Sequence, residues 1–461
     1  MDFFAPLVES DSLEWIRNDI ILQRDSLYFD FSASGLESRS ITRRMQSILG
    51  RYANTHSANA KNADFISTLY KNAKSHLKEL LDLSEDFLVI PSGYGASGAM
   101  KKYQEIKGLY LPPKLRYLAQ IAEQNGIRKK RILIGGYEHH SNEISLREGF
   151  CECVPIPLVN GLMTAQSLQK ILANAQLHSS PQDLSLSSPE QSNAPHSIAL
   201  ASINVASNVS GIIAPYGEIS SVLRERNIDI AFDLAAISPH KNVHSSLFDS
   251  AFLSPHKLIG GIGSCGILLI RSKSLDSSLP PTFSGGGSVK YVSANSHFYI
   301  DDLQEREDSG TPPILPLLKA VLAYQYRNEI GLDSIDKRER VLYNILLSEL
   351  KQIDGIALYG IDLDASYLPI ISFNISGISP YDLAWELSHN YGIETRAGCS
   401  CAGVYGHYLT QKEEIKDIAL LDANPLLKPA WLRISLHYSH NFSDIEYFLT
   451  ALKKTIKRLR G

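Results

Sequence analysis

The sequence predicts an α/β protein: a large domain built on a mostly parallel central sheet, followed by a smaller α+β domain at the C-terminal end. Three observations predict it. Short apolar runs alternate with helical patterns through the middle of the chain, which is how βαβ units read. Polar, ligand-competent clusters follow directly after those runs, where open α/β sheets place their sites. Beyond residues 311–316 a long helical pattern leads into a second set of strands.

Taken in order, FLVI at 87–90 reads as a strand that meets the turn PSGYGASG at 91–98. Residues 109–130 read as a basic, partly helical insertion broken by Pro112-Pro113. RILIGG at 131–136 is a strand leading into YEHHSNE. Residues 176–197 form a Ser-, Pro-, Gln- and Asn-rich insertion with too little apolar content to offset its ordering entropy, hence a mobile surface loop. SIALASI at 197–203 is a strand leading into NVASNVSG, and residues 218–226 a helix before the strand 228–232 that Asp233 closes. Residues 251–253 form the strand before Lys257, and a glycine-rich stretch follows at 260–266.

The helical pattern at 317–330 links the two domains, and residues 371–376 and 431–438 read as strands of the second. Ser379-Pro380 opens a helix, serine capping and proline at the first position. The last helix is predicted to start at Ser443 with Glu446 completing a capping box, and Ile445, Phe448, Leu449, Leu452 and Ile456 on its apolar face. The expected organisation is an N-terminal segment 1–35 packing on the small domain, a large domain 36–315 with insertions near 104–130 and 176–197, and a linking helix with the small domain at 316–461.

Composition excludes several classes. With 461 residues, 44% hydrophobic and 20% charged, the chain is an ordinary globular protein large enough for two domains. A net charge of -4 gives no electrostatic case for nucleic acid or an anionic membrane as main partner. No apolar run approaches a membrane span, and MDFFAPLVES lacks the basic and apolar regions of a signal peptide, so the expected location is the cytoplasm. The cysteines, Cys151, Cys153, Cys265, Cys399 and Cys401, are odd in number without a CxxC pair, so neither a disulfide framework nor a zinc ribbon is suggested.

Asp233 and Lys257 carry the chemistry. A lysine amine for a Schiff base and a carboxylate for a pyridinium nitrogen are what pyridoxal 5′-phosphate (PLP) requires. Taken singly, an Asp at a strand end is also a helix cap and a Lys after a strand a solvated charge. The turn at 91–98 offers backbone N–H groups and a helix N-terminus to a phosphate, although such turns are common. The histidine pair His139-His140 could stack on a ring or sit in the core; no HExxH supports a metal site, and none is expected. Asn208 could meet a phenolic oxygen or merely make a turn. The loops at 284–288 and 306–312 could reach another subunit's ligand or be plain loops. Arg433 stands in an apolar strand where an unpaired charge is expensive, and a guanidinium fork suits a substrate carboxylate. Cys401, on a glycine-containing loop, could be a nucleophile or a small buried filler.

Together, EHHSN at 138–142, SNVSG at 207–211, Asp233, SPHK at 254–257, GGG at 285–287, SGTP at 309–312 and RAGCSCAG at 396–403 resemble the class V aminotransferase family of fold type I PLP enzymes. Within it they are most like the cysteine desulfurase and selenocysteine lyase branch, over residues 28–448. The resemblance implies that Lys257 forms the aldimine with PLP and later transfers protons, that Asp233 pairs with the pyridinium nitrogen, that His139 stacks on the ring and that Asn208 contacts the phenolic oxygen. It implies phosphate binding by Ser254, His256 and the backbone of Gly93, Tyr94, Gly95 and Ala96, with Ser288 reaching the phosphate of a homodimer partner. Arg433, with Arg396, would hold the carboxylate of an amino-acid substrate, and Cys401 would take the sulfur as a persulfide, for a sulfur-acceptor protein.

The chain departs from that pattern at Ala236, where desulfurases usually carry glutamine, at Gly95 for a threonine, at Val205 for a histidine, in its second thiol Cys399, and in a longer segment 411–429. The readings carried forward are therefore a desulfurase or selenocysteine lyase acting on cysteine or a related amino acid, an aminotransferase, epimerase or other C–S lyase not using Cys401, and a non-catalytic scaffold on the same fold.

Overall fold

The computed structural model describes residues 2–55, 57, 59–177 and 198–461. From residue 178 on, the Ser/Pro-rich insertion at 176–197 therefore lies outside the described residues. Strands β1 (Phe87–Ser92), β2 (Lys130–Ile134), β3 (Cys151–Pro155), β4 (Ile198–Asn204), β5 (Asp229–Asp233), β6 (Ser250–Leu253) and β7 (Gly266–Arg271) form the central sheet in the order β1-β7-β6-β5-β4-β2-β3. The ladders from β6 through β3 are all parallel, and β7 alone runs against its neighbours.

The strands read as nearly continuous apolar runs because both faces are covered. Val89, Leu133, Ile203, Phe232 and Leu269 face one core, whereas Ile90, Ile132, Leu200, Ala231 and Leu268 face the other. Helices α1 (Lys61–Leu80) and α5 (Ile314–Ile330) pack in the first core; α2 (Gly95–Ile106) packs in the second through Ala99, Met100 and Tyr103, with α3 (His140–Arg147) beside it, and α4 (Tyr216–Arg224) returns on the first face. Helix α5 is apolar almost all round, as a helix inside a core must be. It ends at Gly331, whose φ of 94° turns the chain into α6 (Leu332–Leu350). The 109–130 insertion is a single 3-10 turn, Pro113–Leu115, followed by the helix Arg116–Gln124.

The C-terminal region is a four-stranded antiparallel sheet in the order β8 (Ile356–Leu358), β9 (Ile370–Ile375), β11 (Trp431–Ser435), β10 (Arg396–Gly398). Helices α7 (Pro380–Tyr391), α8 (Gly403–Thr410) and α9 (Phe442–Leu459) complete it. The Ser379 hydroxyl caps α7 by accepting from the Tyr381 N–H at 3.2 Å. The cap of α9 differs from the expected one. Asn441, not Ser443, is the N-cap, and Asp444, not Glu446, closes the capping box. The Asp444 carboxylate also binds Arg17, a partner remote in sequence, which settles the earlier start. The predicted apolar face of α9 is buried as expected.

The N-terminal segment divides between the two regions. Phe3, Leu7, Ile16 and Ile20 join the large core, whereas Leu27–Tyr28 pairs in parallel with Ile393–Glu394 and Phe29 packs among small-region side chains. Two buried histidines hold this crossing. His440 Nδ1 accepts from the His437 N–H at 3.0 Å, so its proton sits on Nε2 and is donated to the Tyr28 carbonyl at 2.9 Å. Phe31 stacks on His437 with ring centroids 4.0 Å apart.

Burial drives His440 down to about 4 and His437 well below its usual value. The folded protein therefore binds fewer protons than the unfolded chain in the window from about 6.5, the unfolded histidine value, to about 4. Stability is complete above that window and falls as the pH drops through it. Thermal melts across pH 7.5 to 4 should show this fall, with a shallower slope in His440→Gln, which keeps both hydrogen bonds without the charge.

Candidate active site

Strand β1 runs into a turn made possible by Gly93 and Gly95, with φ of 49° and 57°. The close approach is severe here: a Cβ on Gly95 would stand 2.6 Å from His256 Cε1, and one on Gly266 would stand 1.9 Å from the Gly95 carbonyl oxygen. Glycine at both positions lets the first turn of α2 sit against the loop after β6, and the Ala96 N–H donates to Ser254 Oγ at 2.8 Å. The remaining N–H groups at the start of α2 have no partner within the helix, which makes this cradle a place for an anion.

Asp233 and Lys257 come from neighbouring parallel strand ends. Asp233, the last residue of β5, is only 3% exposed and accepts from the Ala235 N–H at 2.9 Å. Lys257 closes the short turn Pro255–Lys257 that follows β6. Burial raises the Asp233 carboxyl and lowers the Lys257 amine to about 8, while their mutual attraction opposes both shifts. His139 caps α3, accepting from the Ser141 N–H on Nδ1 at 3.1 Å. Burial, followed by the charge of Lys257, lowers it to about 4, so it is a neutral ring at physiological pH. The residue before it, Glu138, is a buried carboxyl for which no role is expected from the sequence. It accepts from the Gly135 and Asn204 N–H groups and from Asn142 Nδ2 at 2.7–2.9 Å, yet desolvation still lifts it to about 8.

The small region closes the other side. Asn208 donates through Nδ2 to the Ser400 carbonyl at 2.7 Å, while its buried Oδ1 has no hydrogen-bond partner among the described residues. Arg433 on β11 is 2% exposed, and its charge is met by a residue the sequence reading missed: Asp30, whose Oδ1 lies 2.7 Å from Arg433 Nη2. The other Asp30 oxygen lies 2.8 Å from Arg396 Nε. Arg433 Nη1 donates to the Asn208 carbonyl at 3.0 Å, and its buried Nε has no partner among the described residues. Nothing near YFDF signals this role, since its partner is Arg433, far along the chain.

Cys401 is exposed and, like Ser400, adopts a left-handed backbone, with φ of 57° and 52°. The loop is pinned by the His140 N–H donating to the Cys401 carbonyl at 2.8 Å and by Trp431 Nε1 donating to Ser400 Oγ at 3.1 Å. Cys399, half-buried, packs against the large core.

These parts meet in one cavity of about 290 Å³, lined by Tyr94, Gly95, Ala96, His139, Asn208, Asp233, Ser254, His256, Lys257, Arg396, Cys401 and Arg433. Gly93 lies at the start of the same turn. Ser288 stands apart, its hydroxyl donating to the Gly285 carbonyl in its own loop at 2.8 Å.

The family description "Aminotransferase class-V" matches residues 115–448, well over half the chain. The chain belongs to the class-V aminotransferase family. It is a PLP-dependent enzyme of that family. The chain is similar to a probable cysteine desulfurase from Xylella fastidiosa strain Temecula1, 29% identical over 335 residues that cover 71% of this chain and 70% of the relative. A probable cysteine desulfurase from Pyrococcus abyssi is 23% identical over 457 residues, covering 97% and 98% of the two chains. In fold it is like an apo cysteine desulfurase from Thermococcus onnurineus NA1, with a TM-score of 0.75 at 20% identity over 96% of this chain and 98% of the other. A cysteine desulfurase from Escherichia coli gives 0.71 at 18% identity, covering 97% and 99%.

The family member's cavity fits PLP in its own terms. A glycine cradle that any Cβ would fill opens at a helix N-terminus, the buried acceptor Asn208 Oδ1 is orphaned, and an acid and an amine stand at neighbouring strand ends. Gly95→Ala should therefore weaken PLP binding by about tenfold or more, measured by titrating the apo-protein, because it combines steric overlap with a strained φ. Since only the unprotonated amine is nucleophilic, the rate of PLP uptake by apo-protein should rise with pH and level off above about 8 rather than above 10, followed by absorbance.

Proposed function

We propose that this enzyme removes sulfur from L-cysteine or a related amino acid, or selenium from the selenium analogue, with Cys401 as the acceptor of the sulfur. The single observation that carries this reading is an exposed Cys401 on a loop lining the same cavity as Lys257. The desulfurase names of the relatives point the same way.

PLP when bound supplies an electron sink for negative charge at the substrate Cα. Lys257 would carry it through Nζ, Asp233 would hold the proton on its ring nitrogen, His139 and Asn208 would fix the ring, and Ser254, His256 and the 93–96 backbone would hold the phosphate. Arg433 and Arg396 grip the substrate carboxylate, which sets the Cα proton toward Lys257 and the side chain toward Cys401. Lys257 Nζ, with a value lowered to about 8, can both take and return a proton near neutral pH. The Cys401 thiolate attacks the substrate sulfur; its S–S bond forms as the substrate Cβ–S bond breaks, and Cβ takes up a proton. The balance is L-cysteine plus the Cys401 thiol giving L-alanine plus a Cys401 persulfide. A thiol of an acceptor protein then takes the outer sulfur. A homodimer in which Ser288 reaches the partner's phosphate belongs to the same proposal.

Mixing the PLP-loaded protein with L-cysteine and quantifying alanine and sulfide tests it. Alanine should form with the native chain, fall by about a thousandfold or more in Lys257→Ala, and be lost in Cys401→Ser while the visible cofactor absorbance of Cys401→Ser persists. Alanine formation that survives Cys401→Ser would remove this thiol from the reaction, and a cofactor band without alanine from the native chain would move the reading to other amino acids, a C–S lyase or a transaminase.

A further inference from the structure

Two guanidiniums that line the cavity, those of Arg396 and Arg433, share one carboxylate, that of Asp30. Asp30 holds Arg433 Nη2 at 2.7 Å through one oxygen and Arg396 Nε and Nη2, each at 2.8 Å, through the other. The carboxylate is 7% exposed, and its neighbour Arg433 2%. Of the five N–H donors of a guanidinium, Arg433 spends one on Asp30 and one on the Asn208 carbonyl, and its buried Nε is left without a partner. The cluster therefore carries a net charge of one positive unit and keeps open donors.

We propose that Asp30 is a positioning and specificity residue that presets Arg433 and Arg396 and limits the site to amino acids with one carboxylate. This rests on the amino-acid reading above and adds to it a rule about which amino acids enter. One substrate carboxylate neutralises the cluster. A second would exceed that one positive unit, with the Asp30 charge already held on the same two guanidiniums to oppose it. Removing the Asp30 charge leaves two arginines that a dicarboxylate can satisfy. Removing Arg396 instead leaves the pair Asp30–Arg433 neutral overall, with little to offer any carboxylate.

The test is calorimetric binding of propionate and succinate to the PLP-loaded protein, so that its readout is not turnover. Native protein should favour propionate. In Asp30→Asn the ratio of succinate to propionate affinity should rise about tenfold or more, and Asp30→Glu should restore the native preference. Arg396→Gln, altered at an exposed side chain, should weaken propionate binding about tenfold and leave succinate at least as disfavoured. An unchanged ratio in Asp30→Asn, or succinate and propionate equally bound by native protein, overturns the proposal; so does native protein that binds neither. Alanine formation from cysteine is assayed alongside, and its absence counts against the desulfurase reading while the affinity ratio still decides the role of Asp30.

Discussion

A guanidinium buried as deeply as that of Arg433 cannot stand alone, and the molecule is arranged around supplying its partner. A lone charge of this kind costs several kcal/mol, and breaking such a pair typically costs about 3–5 kcal/mol. The strand and its neighbours supply no acid: β9 sets Ser372 opposite Arg433 on one side, and β10 sets a second cation, Arg396, opposite it on the other. The acid comes from the N-terminal segment, drawn across by pairing with Ile393–Glu394, by Phe29 in the small core and by the neutral tautomer of His440 under the Tyr28 carbonyl. The ion pair Asp30–Arg433 thus ties the beginning of the chain to its penultimate element at the mouth of a cavity whose floor belongs to the large sheet.

On that floor the same physics runs with opposite sign on two groups. Parallel register puts Asp233 opposite Phe252, one residue from the end of β6, so the chain needs only the short 254–257 turn to bring an amine to the same end of the sheet. Apolar surroundings push the acid up and the amine down, and each moves toward neutral pH, where protons exchange most readily. The neutral ring of His139 adds no further charge to be matched.

Much of this was legible because it is local. Strands that end in Asp233 and before Lys257, the glycine turn after β1, the mostly apolar first half of α5 and the Ser379 cap each announce themselves within a dozen residues. What escaped was non-local. YFDFSASG has no period and no turn chemistry, and Asp30 acquires meaning only from a strand four hundred residues away. Glu138 was quoted as part of a motif, but its burial depends on Asn204 closing over it from β4. At α9 two overlapping capping patterns compete, Asn441 with Asp444 and Ser443 with Glu446, and Arg17 decides between them from the far end of the chain. Gly95, noted as a departure from relatives, turns out to be required by the imidazole of His256 pressed against it.

The one reversed strand has a consequence for biosynthesis. Among the described residues strand β1 has β7 as its only neighbour in the sheet, so the residues 87–92 wait for that pairing until 266–271 have been made. At translation speeds of about 5–20 residues per second, that leaves a bare apolar strand edge waiting for roughly ten seconds to half a minute. Such an edge is a template for pairing with other nascent chains. The ligand cradle, built where Gly95 meets Gly266, cannot exist before that late closure, and the arginine that completes the cavity is added later still. A ribosome-bound chain therefore completes its central sheet only after residue 271 has been made and adds the remaining residues with that sheet in place and the cavity still open, which makes release of the C-terminal strand the event that lets the chain hold its cofactor and substrate together.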